Sequence, residues 1–124
     1  MDNQPEIEVI VLIRDLIFET RIKSTAQALG IGATVVRSVN ELATLLNQSA
    51  IRLLIVDLNT AGPAAFDAVR AAKAHPGVRV LAFVSHVDTD LANLATQAGA
   101  DEVLPRSRFT AQLPALLAQH SNSA

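Results

Sequence analysis

The chain of 124 residues lacks cysteine, tryptophan and tyrosine and contains only four phenylalanines. Without cysteine, disulfide bonds, thiol chemistry and thiolate metal centres are excluded. The few aromatic rings and a net charge of −2, from ten basic and twelve acidic residues, leave little to stack on bases or to neutralise phosphates. The composition therefore predicts that the protein does not bind nucleic acid.

Long apolar runs and a basic amino terminus are also missing. The longest strongly apolar run covers residues 9–13, whereas a membrane-spanning helix needs roughly 18 or more apolar residues. The first residues are polar and acidic, unlike the basic start of a secretory signal peptide. Half of all residues are nonetheless apolar, which excludes a disordered chain. We expect a cytoplasmic protein without membrane contact.

Two kinds of segment alternate along the chain. Apolar, β-branched runs at 7–13, 52–56 and 78–84 are typical of strands buried on both faces, and weaker runs at 34–36 and 102–104 fit edge strands. Between and after them lie Ala- and Leu-rich segments with helical spacing, at 16–29, 38–46, 64–74, 91–98 and 111–119. Five repeats of strand and helix predict an α/β protein, with a parallel sheet covered by helices on both faces.

The spacing within these segments also predicts how the helices begin and what they bury. In the first helix we expect one buried face, formed by Ile17, Thr20, Ile22, Ala26 and Leu29. Asp88 or Thr89 is expected to cap the fourth helix, since both residue types accept hydrogen bonds from a first turn. Thr110 is expected to cap the fifth helix, with Pro114 restricting it to a late start or a bend.

Polar residues follow the predicted strands, at the edge of the sheet where ligands collect in open parallel sheets. They are Arg14 and Asp15, then Asp57 and Asn59, then Ser85 and His86, and finally Arg106 and Ser107. We therefore expect two carboxylates, a hydroxyl group and an arginine to meet on one rim. Simpler roles stay open, because Asp15 also suits the N-cap of the first helix and Asp57 also suits a salt bridge.

Four sequence features combine into a familiar pattern. In the run Leu-Leu-Ile-Val-Asp-Leu-Asn at 53–59, Asp57 directly follows a predicted strand, and Ser85 directly follows the next one. Gly-Ala-Asp-Glu at 99–102 leads into the last strand, and Arg21 lies in the first helix. With these features the chain resembles the receiver domain of two-component response regulators, across residues 7–117.

The resemblance implies a flavodoxin-like α/β fold, in which five parallel strands in the order 2-1-3-4-5 form a doubly wound sheet with helices on both faces. It implies one receiver-like domain over residues 1–124, with a core at 7–117 and a flexible tail at 120–124. In such domains an aspartate, here Asp57, is phosphorylated. Asp15, Asp57 and the backbone carbonyl of Asn59 would hold a magnesium ion, and Ser85 and Arg106 would contact the phosphoryl oxygens.

The resemblance also implies a role in signal transduction. A stand-alone receiver accepts a phosphoryl group from a histidine kinase or a phosphotransfer protein and then acts by binding an output protein. Receivers also often pair with a second copy. We accordingly expect a phosphorelay protein that is not an enzyme and whose partners are a kinase, an output protein and another copy of itself.

Three of the departures from the family pattern together keep a second interpretation open. Leu16 stands where the family has the second residue of an acidic pair, Arg106 replaces a lysine, and Val103 replaces a frequent aromatic residue. One or two carboxylates still suffice for a weak magnesium site, but Arg106 could instead form a bidentate pair with Asp57. The alternative is a degenerate pseudo-receiver that binds partners without phosphorylation.

Two further functions have little support in the sequence. His86 follows Ser85, but neighbours in sequence do not by themselves form a nucleophile and its base, so we do not expect a hydrolase. For His86 a solvated position in a loop, or a contact to metal or phosphate, stays open. A flavin or nucleotide site needs a glycine-rich or hydroxyl-rich loop after the first strand, and residues 14–18 contain neither.

Overall fold

The computed structural model describes residues 7–59, 62–85 and 88–120. The strands in these ranges are β1 (Ile7–Leu12), β2 (Gly32–Val36), β3 (Leu53–Asp57), β4 (Arg79–Val84) and β5 (Glu102–Pro105). The helices are α1 (Leu16–Ala28), α2 (Val39–Gln48), α3 (Ala64–Lys73), α4 (Thr89–Ala98) and α5 (Arg106–His120). None of these helices is long and apolar enough to cross a membrane. Residues 121–124 of the predicted tail lie outside the described residues.

All five strands pair in parallel within one sheet, in the order β2-β1-β3-β4-β5. The predicted α/β fold and strand order are therefore confirmed. β3 lies in the middle of the sheet and is buried along its whole length. It extends one residue beyond the predicted strand, so that Asp57 is its last residue. The ends of β1, β3 and β4 thus bring the predicted site residues to one edge.

Two apolar layers cover the two faces of the sheet, because side chains alternate between the faces along each strand. One layer places Ile10, Leu12, Leu54, Val56, Val80 and Ala82 with residues of α2, α3 and α4. The other layer places Val9, Val11, Leu53, Ile55, Leu81 and Phe83 with residues of α1 and α5. Coverage on both faces explains why the central strands are nearly continuous apolar runs.

The buried face of α1 differs from the predicted one. Phe18, Ile22 and Ala26 are buried, whereas Ile17 is 82% exposed and the predicted Thr20 and Leu29 are exposed as well. The assignment of Ile17 to the buried face was wrong, because Phe18 and not Ile17 packs into the apolar layer between α1 and the sheet. Its ring lies 5.0 Å from that of Phe83 and 5.7 Å from that of Phe109, measured between ring centroids. A long-range aromatic contact therefore sets the rotation of this helix.

The fifth helix begins earlier than predicted. α5 starts at Arg106, directly after β5, and the predicted cap Thr110 lies inside its first turns, with its hydroxyl donating to the carbonyl oxygen of Arg106 at 2.9 Å. Pro114 therefore lies in the helix interior, and the prediction of a late start was wrong. Phe109 and Leu113 are both buried and share one helix face four residues apart. This packing favours the early start.

The fourth helix begins as one of the two predicted alternatives. Asp88 is its N-cap, and the Asp88 carboxylate accepts a hydrogen bond from the backbone N–H of Leu91 at 3.2 Å. Thr89 is the first helical residue, and so it does not cap.

Candidate functional site

Asp57 ends the central strand and is only 2% exposed. Within the described residues, it is the only charged or polar residue that is buried to this degree. Its Oδ1 accepts a hydrogen bond of 3.0 Å from the backbone N–H of Asn59. The N–H of Leu58 donates to the carbonyl oxygen of Phe83 at 3.0 Å, which continues the pairing of β3 with β4. The carboxylate is thus held at the end of the sheet by the backbone that follows it.

Asp15 lies at the end of β1 and is the N-cap of α1. Its Oδ1 accepts from the backbone N–H groups of Ile17 at 3.0 Å and Phe18 at 3.1 Å, as the simpler interpretation predicted. The hydrogen bond from Phe18 lowers the pKa of Asp15 most, loss of solvent acts in the opposite direction, and Arg106 lowers the pKa further. Asp15 therefore stays ionised at neutral pH.

Arg106 links the two carboxylates. Its Nη2 lies 2.7 Å from Oδ2 of Asp15 and 3.9 Å from Oδ2 of Asp57. The predicted bidentate pair with Asp57 is therefore corrected, because the short contact of the guanidinium is with Asp15. Two features explain the difference: Asp15 turns an oxygen toward Arg106, and Oδ1 of Asp57 already accepts from the backbone of Asn59. Arg106 reaches both carboxylates from the first residue of α5.

The guanidinium of Arg106 packs against the face of an aromatic ring. Cζ of Arg106 lies 4.7 Å from the centroid of the Phe18 ring, within the range of a cation–π contact. Phe18 in turn packs on Phe83 and Phe109, whose rings stack at 4.4 Å. The sequence did not predict this contact between Arg106 and Phe18. The available signal was that each of these phenylalanines lies within three residues of a predicted site position.

Ser85 and Asn59 close the rim between β3 and β4. The backbone N–H of Ser85 donates to the side-chain oxygen of Asn59 at 2.6 Å. Ser85 also lines an open cleft together with Arg106, Ser107 and Thr110. The structure thus brings Asp15, Asp57, Asn59, Ser85 and Arg106 to one rim, while His86 lies outside the described residues.

The oxygens of this rim do not fit a magnesium ion in the arrangement found here. Magnesium needs close to octahedral oxygen coordination at about 2.0–2.1 Å. Of the four carboxylate oxygens, Oδ1 of Asp15 and Oδ1 of Asp57 accept backbone N–H groups, and Oδ2 of Asp15 accepts from Arg106. Leu16 brings no oxygen and is 65% exposed. In the described part of the chain, no three His, Cys, Asp or Glu side chains cluster as metal ligands.

Comparison with known proteins gave no matching family model and no matching curated protein. Solved structures do match. A response regulator from Thermotoga maritima has 21% sequence identity and a TM-score of 0.75, with 92% of this chain and 96% of that chain covered. A chemotaxis response regulator of Vibrio cholerae has 14% identity and a TM-score of 0.75, with 92% of this chain and 98% of that chain covered.

A third similar structure bears on the cleft. The receiver domain of a sensor histidine kinase from Pseudomonas aeruginosa has 17% identity and a TM-score of 0.76, with 94% of this chain and 97% of that chain covered. A magnesium ion is coordinated in the active site cleft of that protein. At these identities the likeness concerns the fold, and the resemblance found in the sequence is confirmed at that level. The chain has the fold of the response regulator receiver domains.

Proposed function

We propose that the chain is a receiver-type signalling module of a two-component system and acts by binding other proteins. Its fold and the rim at the carboxyl end of the sheet support this proposal. We take residues 7–117 as the core of one receiver-like domain. Its partners would be a histidine kinase or phosphotransfer protein, an output protein and a second copy of the chain. We propose no enzymatic role for the residues of the rim.

One observation decides which version of this function we favour: Nη2 of Arg106 lies 2.7 Å from Asp15 and 3.9 Å from Asp57. The positive charge that a phosphorylated cleft would direct at a phosphoryl group is already engaged by a carboxylate. The oxygens available for magnesium are reduced as well. Both effects favour the pseudo-receiver, in which partners bind without phosphorylation and Arg106 keeps the cleft in one arrangement.

Phosphorylation of Asp57 is the second candidate function. It is supported by the position of Asp57 at the end of the central strand, with Ser85 directly after the neighbouring strand and Arg106 within 3.9 Å. In this version Oδ2 of Asp57 attacks the phosphorus of an acyl phosphate and the carboxylate of the donor leaves. Arg106 and Ser85 would then contact the phosphoryl oxygens. A magnesium ion, if it takes part, would first have to compete with Arg106 for Asp15.

The experiment that separates the two versions is intact-mass spectrometry after incubation with a small acyl phosphate and magnesium. The wild-type protein is compared with Asp57→Ala. For the pseudo-receiver we expect no gain of mass in either protein. A gain of one phosphoryl group in the wild type alone would establish Asp57 as an acceptor and overturn the favoured version.

A binding experiment tests the function that both versions share. Wild-type protein and Asp57→Ala are immobilised separately and exposed to the same cell lysate. The proteins that each one retains are identified by mass spectrometry. We expect both proteins to retain the same partner, which would be a kinase, a phosphotransfer protein or a component of an output pathway. If neither protein retains a specific partner or associates with itself, the proposed signalling function fails.

A further inference from the structure

The contact between Arg106 and the two carboxylates has a consequence for metal binding. We infer that the guanidinium of Arg106 takes the place of a divalent cation at this rim, and that such a cation binds only when Arg106 leaves Asp15. The inference concerns the same rim as the proposed function and rests on it for the identity of the cleft. It adds a specific role for Arg106, whose positive charge replaces that of the metal and prevents metal binding until the side chain moves.

The position of Nη2 is the first argument. It lies 2.7 Å from Oδ2 of Asp15 and 3.9 Å from Oδ2 of Asp57, between the two negatively charged groups. A divalent cation bridging these oxygens would have to stand within about 2.1 Å of each. Such a cation would need Oδ2 of Asp15, which already accepts the hydrogen bond from Nη2, and two positive charges this close together repel strongly. Arg106 and the metal therefore compete for the same oxygen of Asp15.

The support of the guanidinium is the second argument. Arg106 is the first residue of α5, and its carbonyl oxygen accepts from the hydroxyl of Thr110 at 2.9 Å. Its Cζ lies 4.7 Å above the centroid of the Phe18 ring. Phe18 is itself fixed against Phe83 at 5.0 Å, between centroids. The helix start, the ring and the ion pair together hold the side chain of Arg106 in one position. A long side chain without such contacts would move freely in solvent.

The supply of oxygens is the third argument. The carboxylates of Asp15 and Asp57 are the acidic groups at this rim, and the side-chain oxygen of Asn59 accepts from the N–H of Ser85. Leu16 is exposed next to Asp15 and offers only a hydrocarbon side chain. With Oδ2 of Asp15 engaged by Arg106, a metal loses an oxygen of the more exposed of the two carboxylates. Release of Arg106 is thus the step that makes a site.

Calorimetric titration with magnesium chloride at constant ionic strength tests the inference. The proteins are the wild type, Arg106→Gln and Arg108→Gln, which removes an exposed arginine two residues further along α5. We expect Arg106→Gln to bind magnesium at least about ten-fold tighter than the wild type, because a charge-assisted hydrogen bond no longer competes. Arg108→Gln should stay within about two-fold of the wild type, since exposed charges are largely screened.

Three results would overturn the inference. They are equal magnesium affinity of the wild type and Arg106→Gln, an equal gain in both arginine variants, and no binding to any of the proteins. Circular dichroism melting confirms that each variant is folded. If Arg106→Gln does not fold, Arg106→Lys takes its place, because a compact ammonium group cannot reproduce the contacts of the planar guanidinium with Asp15 and the Phe18 ring. The titration does not depend on phosphorylation or on a partner, so it can fail or succeed independently of the proposed function.

A second pair of variants asks whether the missing acid or the arginine closes the cleft. Leu16→Asp restores a carboxylate beside Asp15, and it is titrated alone and together with Arg106→Gln. We expect little gain from Leu16→Asp alone, and the tightest binding in the double variant, because the added oxygen is useful only once Arg106 is gone. Strong binding to the single variant Leu16→Asp would show that the missing acid is the cause and would contradict the role given to Arg106.

Discussion

The guanidinium carbon of Arg106 lies 4.7 Å from the centroid of the Phe18 ring, and Phe18 belongs to a buried aromatic cluster. The cluster therefore connects the packing of one apolar layer with the charged rim above it. Cation–π contacts at partly exposed sites contribute about 0.5–1 kcal/mol, so most of the stability at this point comes from burial of the ring.

The first prediction concerns this ring. Phe18→Ala should lower the free energy of unfolding by about 3 kcal/mol or more, since it removes a buried ring and leaves a cavity. Phe66→Ala is the matched control, because Phe66 is partly exposed on the opposite layer and should cost clearly less. Urea denaturation of both variants checks the prediction. Equal losses would contradict the argument from burial, which predicts the larger loss at Phe18.

The second prediction concerns pH. Asp101 accepts from Nζ of Lys73 at 2.9 Å and from the N–H of Val80 at 2.8 Å. Burial acts to raise the pKa of Asp101, but Lys73 and the N–H of Val80 outweigh it, and the pKa is lowered. Because the folded state holds this proton more weakly than the unfolded state, Asp101 stabilises the fold above about pH 4, the usual pKa of aspartate. This contribution disappears as the pH falls through the lower, folded-state pKa.

Asp101→Asn should therefore lower stability at pH 7 and flatten its decline below about pH 4. The loss at pH 7 should be about 1 kcal/mol or less, since solvent screens this partly exposed pair. The control is Asp67→Asn, which breaks an exposed ion pair with Arg70 and should change stability by less than about 0.5 kcal/mol. Denaturation curves at pH 7, 5 and 3 give the comparison, and an unchanged pH profile in Asp101→Asn would contradict the assignment.

The third prediction concerns the start of α4. Asp88→Ala should lower stability by about 1 kcal/mol, because the N–H of Leu91 loses its acceptor. Thr89→Ala, one residue later and also exposed at the helix start, should change stability by less than about 0.5 kcal/mol. Thermal melting of the two variants distinguishes the residues. A larger effect at Thr89 would show that the cap is the other residue of the pair.

The fourth prediction is an increase in stability. Pro114 lies inside α5 and has no N–H to donate to the preceding turn. Pro114→Ala should raise the free energy of unfolding by about 1–3 kcal/mol. Pro63→Ala provides the contrast, since Pro63 is the N-cap of α3 with a φ of −59°, where proline is tolerated. Pro63→Ala should be as stable as the wild type or slightly less stable. If it were more stable, the argument that proline is unfavourable only inside the helix would fail.

The strands of the fold could be predicted because their signal is local. Short runs of β-branched residues and leucine mark β1, β3 and β4 whichever helix covers them. The strand order was available only through the resemblance, since no run states which neighbour it pairs with. The helices depend more on distant contacts. Ile17 and Phe18 are both apolar neighbours, and only the rings of Phe83 and Phe109 decide which of them faces the sheet.

The candidate site could be predicted as a set of residues but not as a geometry. Asp15, Asp57, Ser85 and Arg106 follow from the ends of predicted strands, since parallel strands bring their carboxyl ends to one edge. Which carboxylate pairs with Arg106 depends on where α5 starts. The sequence placed that start after Thr110, because threonine caps helices and Pro114 lies near the first turn that follows, whereas packing of Phe109 favours a start at Arg106.

The aromatic cluster also makes the cleft visible to spectroscopy without an added label. The chain contains no tryptophan or tyrosine, so phenylalanine dominates its near-ultraviolet circular dichroism. The rings of Phe83 and Phe109 stack at an angle of 16°, and Phe18 carries Arg106 on its face. Ring currents from these three side chains displace the NMR signals of neighbouring protons. Movement of Arg106 away from its aromatic support will therefore be recorded directly in the spectrum of the unmodified protein.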